Sequence, residues 1–444
     1  MNKSIPVAEP RCNPTESELH FSNLVHVVST VSDALPITET TTPADATELA
    51  EVVRGCHDRE TAIYPIGGGT SLDYGLPAKR SGIGLSLARL LAVVDYPARD
   101  MTITVGAGIT MRTLAEILAQ ERQRLPIDVP QADQATLGGV VATNFNGPRR
   151  FGQGTVRDHV IGIRAVDGRG LSFKGGGRVV KNVAGYDFCK LLTGSLGTLG
   201  VITELTLKLK PIPERFAISV CSPSDLAHAE QLLAALVNSD TTPCAVELLC
   251  GPAWTANKHL AGDSALAHGL FLAVALEGTE PEVTWMTTQL GLEWQREGVR
   301  SHQTVEGEAA HELFADMTEF PSRDESPLVL RASMTPRGTT RFVKALQNLD
   351  ANCSIQAHAG NGIVIARLSE FPSAGLAKTL VGNLQAVAAT AHGNVVVLSN
   401  PGRSEMTRQS VWGAIDAPFE LMTAVKREFD PKNILNPDRF VYVS

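Results

Sequence analysis

The sequence predicts an α+β protein built from two unlike parts, and three observations predict it. Between Ala62 and Thr203, short apolar runs of strand length alternate with glycine-dense loops. From Ile218 onward, apolar strands alternate with amphipathic helices in two sets. Each set is roughly β-α-β-β-α, and the second closes on a final strand, which is the order of a ferredoxin-like fold. After residue 400 the rhythm changes again, with one amphipathic helix followed by a polar, proline-marked ending.

Taken in order, residues 1 to about 40 are polar and irregular and read as an N-terminal extension. The first helix is expected from Thr42 as cap with Pro43 at its first position, since proline has no N–H to lose there. Leu49, Val52, Val53 and Cys56 then recur at i, i+3, i+4 and i+7 and define its buried face. A strand over Ile63–Ile66 runs into Gly67-Gly68-Gly69-Thr70-Ser71, and a second strand alternates Ile83, Leu85 and Leu87. Val93–Tyr96 and Met101–Val105 read as a hairpin turning at Pro97–Asp100. Gly106-Ala107-Gly108 follows, but Met111 stands where a dinucleotide fingerprint would need its third glycine. A helix from Met111 to about Gln120 with Leu114, Ile117 and Leu118 inward is the expected continuation.

The stretch from Pro130 to Thr203 is the most glycine-punctuated of the chain, with strands expected at Val160–Val166 and Leu205–Leu209. Such density costs backbone entropy on folding, so close backbone approach is required at many points. Bulges and turns of a loop-rich β-domain would account for it, and so would a ligand lying against main chain. With the boundary near Pro211–Glu214, the second part is expected to hold strands at Ile218–Cys221, Ala245–Leu249 and Leu270–Leu276, with helices over Pro223–Val237 and near Val283–Leu290. Its second set comprises Leu328–Ser333, a helix Thr339–Leu349, Ser354–Ala357, Ile363–Leu368, a helix Ala374–Ala389 and Val395–Leu398. Residues 291–326 are more polar, with a helix through Leu313 and Phe314. Pro418 opens a last helix bearing Leu421, Val425 and Phe429, which ends at Asp430-Pro431.

A chain of 444 residues has room for two or three domains with sizeable cores. Its formal net charge of −8 argues against nucleic acid and against a basic membrane-binding face. The opening MNKSIPVAEPRCNPTE has no apolar leader, and no apolar run reaches the roughly 18 residues of a transmembrane segment, so a cytoplasmic protein is expected. The seven cysteines (Cys12, Cys56, Cys189, Cys221, Cys244, Cys250, Cys353) are dispersed without any C-x-x-C. They read as reduced thiols, not as a disulfide frame, a zinc site or an iron–sulfur site.

The run Ala62–Ser71, AIYPIGGGTS, is the clearest chemical signal. Glycines without Cβ let a backbone lie directly against a ligand, and successive N–H groups with two hydroxyls can converge on an anion such as pyrophosphate. No lysine follows, so it is not a Walker loop, and a plain tight turn has the same composition. Gly138-Gly139 beside Thr136 and Asn144 would let a flat ring system pack on main chain.

Through Pro65–Ser71, Ala135–Gly147, Gly194–Thr203 and Phe429–Pro437, the chain resembles the vanillyl-alcohol-oxidase-type FAD flavoproteins. The four motifs stand in the family's order and spacing. Within that superfamily it is most similar to the FAD-binding E subunits of bacterial glycolate oxidase complexes, through NGPRRFGQGTVRDHVIG (146–162), KNVAGYDFCKLLTGSLGTLGVIT (181–203) and FDPKNILNPDRF (429–440). The resemblance implies a PCMH-type two-lobed FAD-binding domain over 41–214, a ferredoxin-like α+β cap domain over 215–400, and a C-terminal segment, 401–444, returning to the first. It implies that Ile66, Gly67, Gly68, Gly69, Thr70 and Ser71 hold the pyrophosphate. Pro130, Thr136, Gly138, Gly139 and Asn144 would line the ribityl and ring region, and Gly200, Val201 and Ile202 the adenine side.

The superfamily's D-2-hydroxyacid enzymes carry H-x-G-D-G-N-x-H, whose histidines hold a divalent metal. This chain reads HAGNGIVI instead: His358 is kept, while Asn361 and Ile365 replace the acid and the second histidine. One imidazole is a poor zinc site, so no metal is expected and His358 reads as a hydrogen-bonded cap residue. Other candidates are Arg331, for a carboxylate or a buried ion pair, and Lys426 and Lys432, for flavin charge or plain solvent exposure. His392 reads as a cation at a helix C-terminus.

No histidine or cysteine adjoins the glycine loop, so the FAD is expected to be noncovalent. The resemblance implies an oxidoreductase subunit that oxidises glycolate or a related 2-hydroxyacid to the 2-oxoacid. Its implied partners are a paralogous catalytic FAD subunit and an iron–sulfur subunit, through which it would at most be peripheral to the inner membrane. A self-contained D-2-hydroxyacid dehydrogenase and a structural subunit with vestigial flavin are the alternatives.

Overall fold

The computed structural model describes residues 35–177, 185–260, 269–322, 326–414 and 418–440. The first part holds two lobes, and burial of alternate apolar residues explains both. In one lobe β1 (Ile37–Thr41), β2 (Ala62–Ile66) and β3 (Gly82–Ser86) form a parallel sheet in the order β1-β3-β2. The helix Ala46–Arg59 packs on it through Leu49, Val53 and Cys56. In the other lobe β4 (Val93–Asp95) and β5 (Thr102–Gly106) make the expected hairpin. A short pair is formed by β6 (Gln123–Arg124) and β10 (Lys210–Pro211), while β7 (Val160–Val166), β8 (Ser172–Gly176) and β9 (Val201–Lys208) complete an antiparallel sheet ordered β4-β5-β9-β7-β8. The Met111–Ala119 helix closes this lobe's core through Leu114 and Leu118.

The second part is one eight-stranded antiparallel sheet. Its strands are β11 (Arg215–Cys221), β12 (Ala245–Cys250), β13 (Leu270–Gly278), β14 (His302–Glu306), β15 (Leu328–Ser333), β16 (Ser354–His358), β17 (Ile363–Leu368) and β18 (Asn394–Ser399), in the order β14-β11-β13-β12-β16-β17-β15-β18. The order is a palindrome: strands 4-1-3-2 of one βαββαβ unit meet strands 2-3-1-4 of another at the β12–β16 seam. One face is covered by the helices Leu226–Leu236, Glu280–Arg296 and Thr339–Leu349. The opposite face meets the first part and, over its first half, the helix Gly307–Glu319 through Ala310, Leu313, Phe314 and Met317.

Several expectations shift. Residues 1–34 lie outside the described residues, but Ile37–Thr41 is a strand, not an irregular arm; its middle residues are exposed, so no apolar alternation marks it. The first helix starts at Ala46 because Asp45, not Thr42, caps it, accepting from the Thr47 and Glu48 N–H groups. The strand expected at Leu205–Leu209 begins at Val201. The polar 291–326 stretch contains β14, an edge strand of sequence HQTVE, so the first unit also closes on a final strand. The Ala374–Ala389 helix is a π-helical stretch, Ala377–Leu384, followed by α-helix to Ala389. In the last helix, Phe419–Phe429, Val425 and Phe429 pack on the core as expected, but Leu421 is 66% exposed and Lys426 is fully buried.

Candidate functional site

The glycine loop leaves β2 at the C-terminal edge of the first lobe, and the chain's last residues hold it from behind. Asp430 accepts from the Ile434 and Leu435 N–H groups and from Lys426 Nζ, so the turn after the last helix is fixed. Ile63 then donates to Ile434 and Asn436 donates to Ile63, which extends the sheet beside β2. Arg439 donates to the carbonyls of Leu72, Tyr74 and Leu76, clamping the segment after the loop. Burial pushes its guanidinium down to about 10. Lys426 is therefore a structural tie, bound also to the Thr198 and Leu435 carbonyls, and neither a solvent-exposed residue nor one that reaches the cleft. Lys432 is bound to His57 O and Glu60, and His392 is exposed beyond the end of its helix.

Two expected motif segments touch. A Cβ on Gly68 would lie 1.6 Å from Gln134 O, and one on Gly67 would lie 2.2 Å from Thr136 Oγ1, so no side chain fits at either position. Gly69 has φ +78°. The loop thereby rests on the 134–136 segment, and both border one cleft of about 800 Å³ between the two lobes and the eight-stranded sheet. Gly67, Gly68, Gly69, Thr70, Ser71, Pro130, Thr136, Gly138, Gly139, Gly200, Val201 and Ile202 all line it. Two expected residues do not: the Ile66 side chain is buried in the lobe, and Asn144 adopts φ +52° as the cap of the Leu137–Thr143 helix. Asparagine tolerates that left-handed position, and capping is its role here. Of the 181–203 motif, residues 181–184 lie outside the described residues.

The cleft's chemistry suits an elongated anionic ligand. Among the described residues, no backbone N–H from Gly67 to Asp73 donates a hydrogen bond within the chain. These half-exposed donors are free to bond an acceptor in the cleft, and the phosphates of a dinucleotide would suit them. Arg403 adds positive charge, partly offset by Asp73 at 3.6 Å. The far wall comes from the large sheet and its connections, through Val329, Leu398, Ser399 and Pro401 on one side and Pro321 and Ser322 on the other. Sequence reasoning did not find these, nor Tyr74, Asn436 or Arg439, which lie outside any glycine pattern. Among the described residues, no cysteine or histidine lines the cleft.

The large sheet's cleft-side face bears a buried polar strip. His358 and Glu247 are partners across the β12–β16 seam, 3% and 1% exposed, with His358 Nδ1 2.8 Å from Glu247 Oε1. Gln356 donates to the same carboxylate. Arg331 on β15 donates to Tyr74 Oη at 3.1 Å, and among the described residues no acidic side chain pairs with it. Among the described residues, no three His, Cys, Asp or Glu side chains converge as a metal site. The six described cysteines are buried and unpaired, and burial pushes the thiols of Cys250 and Cys353 up to about 12.

Charged groups fasten the sheet to the first part. Glu277 on β13 receives Arg124, Arg149 and Gln153, and Arg149 also pairs with Asp128. Burial pushes the Glu277 carboxyl up, but the Arg124 hydrogen bond and the Arg149 charge outweigh it and hold the group below the usual carboxylate range.

A two-lobed part with a glycine-lined cleft under an antiparallel sheet has the build of a site for an elongated, phosphate-bearing ligand. Residues 39–174 match the FAD binding domain family, and residues 414–440 match the FAD linked oxidases, C-terminal domain. The chain is 27% identical to the D-lactate dehydrogenase [cytochrome], mitochondrial, of Arabidopsis thaliana over 90% of this chain and 72% of that one. It is 27% identical to glycolate oxidase subunit GlcD of Bacillus subtilis, over 89% and 87% respectively. A shorter match, 43% identical, covers 27% of this chain and 35% of glycolate oxidase subunit GlcE of Escherichia coli. The fold is that of p-cresol methylhydroxylase, with a TM-score of 0.66 over 91% of this chain and 90% of that one at 17% identity. The chain is an FAD-dependent oxidoreductase with the PCMH-type fold.

Proposed function

We propose that this protein is the FAD-binding subunit of a glycolate-oxidase-like complex, oxidising glycolate or a related 2-hydroxyacid to the 2-oxoacid. The observation that carries the substrate class is the likeness, over about nine-tenths of the chain, to a D-lactate dehydrogenase and to a glycolate oxidase subunit. The GlcE match and the HAGNGIVI segment, with one histidine where a metal site needs more, support the role of a partner-dependent subunit. Residues 41–214 bind FAD noncovalently, 215–400 cover it and 401–444 return to brace the first domain. Gly67–Ser71 offer their N–H groups to the pyrophosphate, Pro130, Thr136 and Gly139 border the ring, and Gly200–Ile202 border the adenine. When bound, FAD supplies the two-electron acceptor. The chain's residues orient it and shield it from water. A paralogous FAD subunit and an iron–sulfur subunit are the partners, and the complex is cytoplasmic or peripheral to the inner membrane.

The second reading, a self-contained dehydrogenase, draws on the 87% coverage of GlcD. An absorbance spectrum of the purified chain, followed by anaerobic glycolate or D-lactate, tests both. Flavin bands that bleach only after partner subunits are added support the complex, and bleaching by the chain alone supports the second reading. Protein that carries no flavin and takes up none overturns both. Gly68→Ala, whose Cβ would overlap Gln134 O, is expected to yield flavin-free protein.

A further inference from the structure

Five buried polar atoms without a hydrogen-bond partner gather on one side of the large sheet: Arg150 Nε, Arg331 Nε, Gln356 Oε1, His358 Nε2 and Asn361 Oδ1. The register explains the gathering. Gln356, Ile365 and Arg331 are successive partners across β16, β17 and β15, so their side chains share a face. Gln356 and His358 are two residues apart on β16 and share that face, and Glu247 stands opposite His358. The short helix Arg150–Gln153 approaches from the first part, with the Phe151 ring against Gly360 in the turn that carries Asn361. The charges of Arg331 and Glu247 both act on Arg150, and burial together with the Arg331 charge lowers its pKa from the usual arginine value.

Buried polar atoms are normally paired, and five left open around one spot mark a place for a polar ligand. The two guanidinium groups have no acidic partner among the described residues, because Glu247 is taken by Gln356 and His358. Two arginines without counter-charges ask for an anion and repel a cation, so this is no metal site. With Nδ1–H donated to Glu247, Nε2 is the His358 ring atom left without a partner, and in that tautomer it carries a lone pair to which a hydroxyl can donate. The spot adjoins the cleft: Val329, two residues from Arg331 on the same face, lines it, as does Tyr74, which Arg331 contacts.

We propose that Arg150, Arg331 and the Glu247–His358 pair form the receptor for the carboxylate and hydroxyl of a small 2-hydroxyacid. Arg150 and Arg331 take the carboxylate, and His358 Nε2 accepts the hydroxyl hydrogen in place of a metal ion. The inference rests on the 2-hydroxyacid reading above and assigns the residues that would serve it.

Anaerobic calorimetric titration of the FAD-loaded protein with glycolate, acetate and oxalate tests it, because acetate lacks the hydroxyl and oxalate cannot be oxidised. Wild type is expected to bind glycolate at least tenfold more tightly than acetate. Arg331→Met and Arg150→Met are expected to weaken oxalate at least tenfold, with Arg331→Lys partly restoring it through charge alone. His358→Leu is expected to erase the preference for glycolate over acetate while leaving acetate unchanged. Flavin content of each variant reports whether it has folded. Wild-type binding in all folded variants, with glycolate still bleaching the wild-type flavin, overturns the receptor and leaves the 2-hydroxyacid reading standing. No binding of any of the three acids, with no bleaching by glycolate or D-lactate, overturns both.

Discussion

The two halves of the large sheet share a topology and differ in what they do with the face turned toward the first part. In the first half that face is mainly apolar, with Glu247 at the seam and Glu277 at the end of β13 as its charged positions: Phe216, Ile218 and Val220 on β11 and Phe271, Ala273 and Ala275 on β13 join the Gly307–Glu319 helix in one core. In the second half the same face carries Arg331, Gln356 and His358 beside Val329, Ile363, Ile365 and Leu398. One row of side chains makes the change within a single line. Phe271 and Leu249 are followed across the seam by Gln356, Ile365 and Arg331. A repeated unit thus serves once as a hydrophobic platform and once as a polar surface facing a cleft. Fold is set by the alternation common to both halves, and chemistry by the few positions where the second departs from it.

The largest test of that difference is to exchange one residue type across the halves. Ile218→Arg places a guanidinium in the closed apolar core with no acceptor, and we expect a loss of about 4 kcal/mol or more. Arg331→Leu, on the matching strand of the other half, removes a group whose Nε already lacks a partner and should change stability by no more than about 1 kcal/mol. Urea denaturation of the two variants measures both, and equal losses would erase the distinction.

A smaller effect probes how the first half is held to the FAD-binding part. Glu277→Ala leaves Arg124 and Arg149 half-buried without their shared carboxylate, with an expected loss of about 3 kcal/mol. The pH dependence has a definite sign. Glu277 is held below its ordinary value in the folded state, so its contribution is fully present above the unfolded carboxylate pKa of about 4.3 and is lost as pH falls through the folded value. The urea midpoints of wild type and Glu277→Gln should therefore converge as the pH is lowered from 7 toward 3.

Much of this architecture was legible in the chain because apolar periodicity reports burial directly. The Thr339–Leu349 helix and the strands Leu328–Ser333 and Ile363–Leu368 lie where alternation or helical spacing puts them. Among the elements that escaped are β1 and β14, edge strands whose exposed residues carry no alternation. In the cleft, glycines announced themselves because close approach excludes any side chain, as at Gly68. Arg403, Tyr74 and Arg439 did not, since a long polar side chain in a loop looks alike whether it lines a cleft or meets solvent. The Lys426 environment was illegible for the same reason: besides Asp430 four residues on, its partners are Thr198 O and Leu435 O, which tertiary packing brings to it.

The smallest expected effect concerns the contact between the polar half and the glycine-loop lobe. Tyr74 lies 5.2 Å from the Trp412 ring, and its hydroxyl accepts from Arg331. Tyr74→Phe keeps the ring packing and removes only that acceptor, so the stability change should stay near 1 kcal/mol. Its informative property is coupling. If Tyr74 and Arg331 act on each other and on little else in the fold, the stability losses of Tyr74→Phe and Arg331→Leu will sum to more than the loss in the double variant. Strict additivity would mean that the hydroxyl stabilises the fold through something other than Arg331. The polar half would then join the cleft lobe through the Tyr74–Trp412–Phe440 ring contacts and not through its arginine.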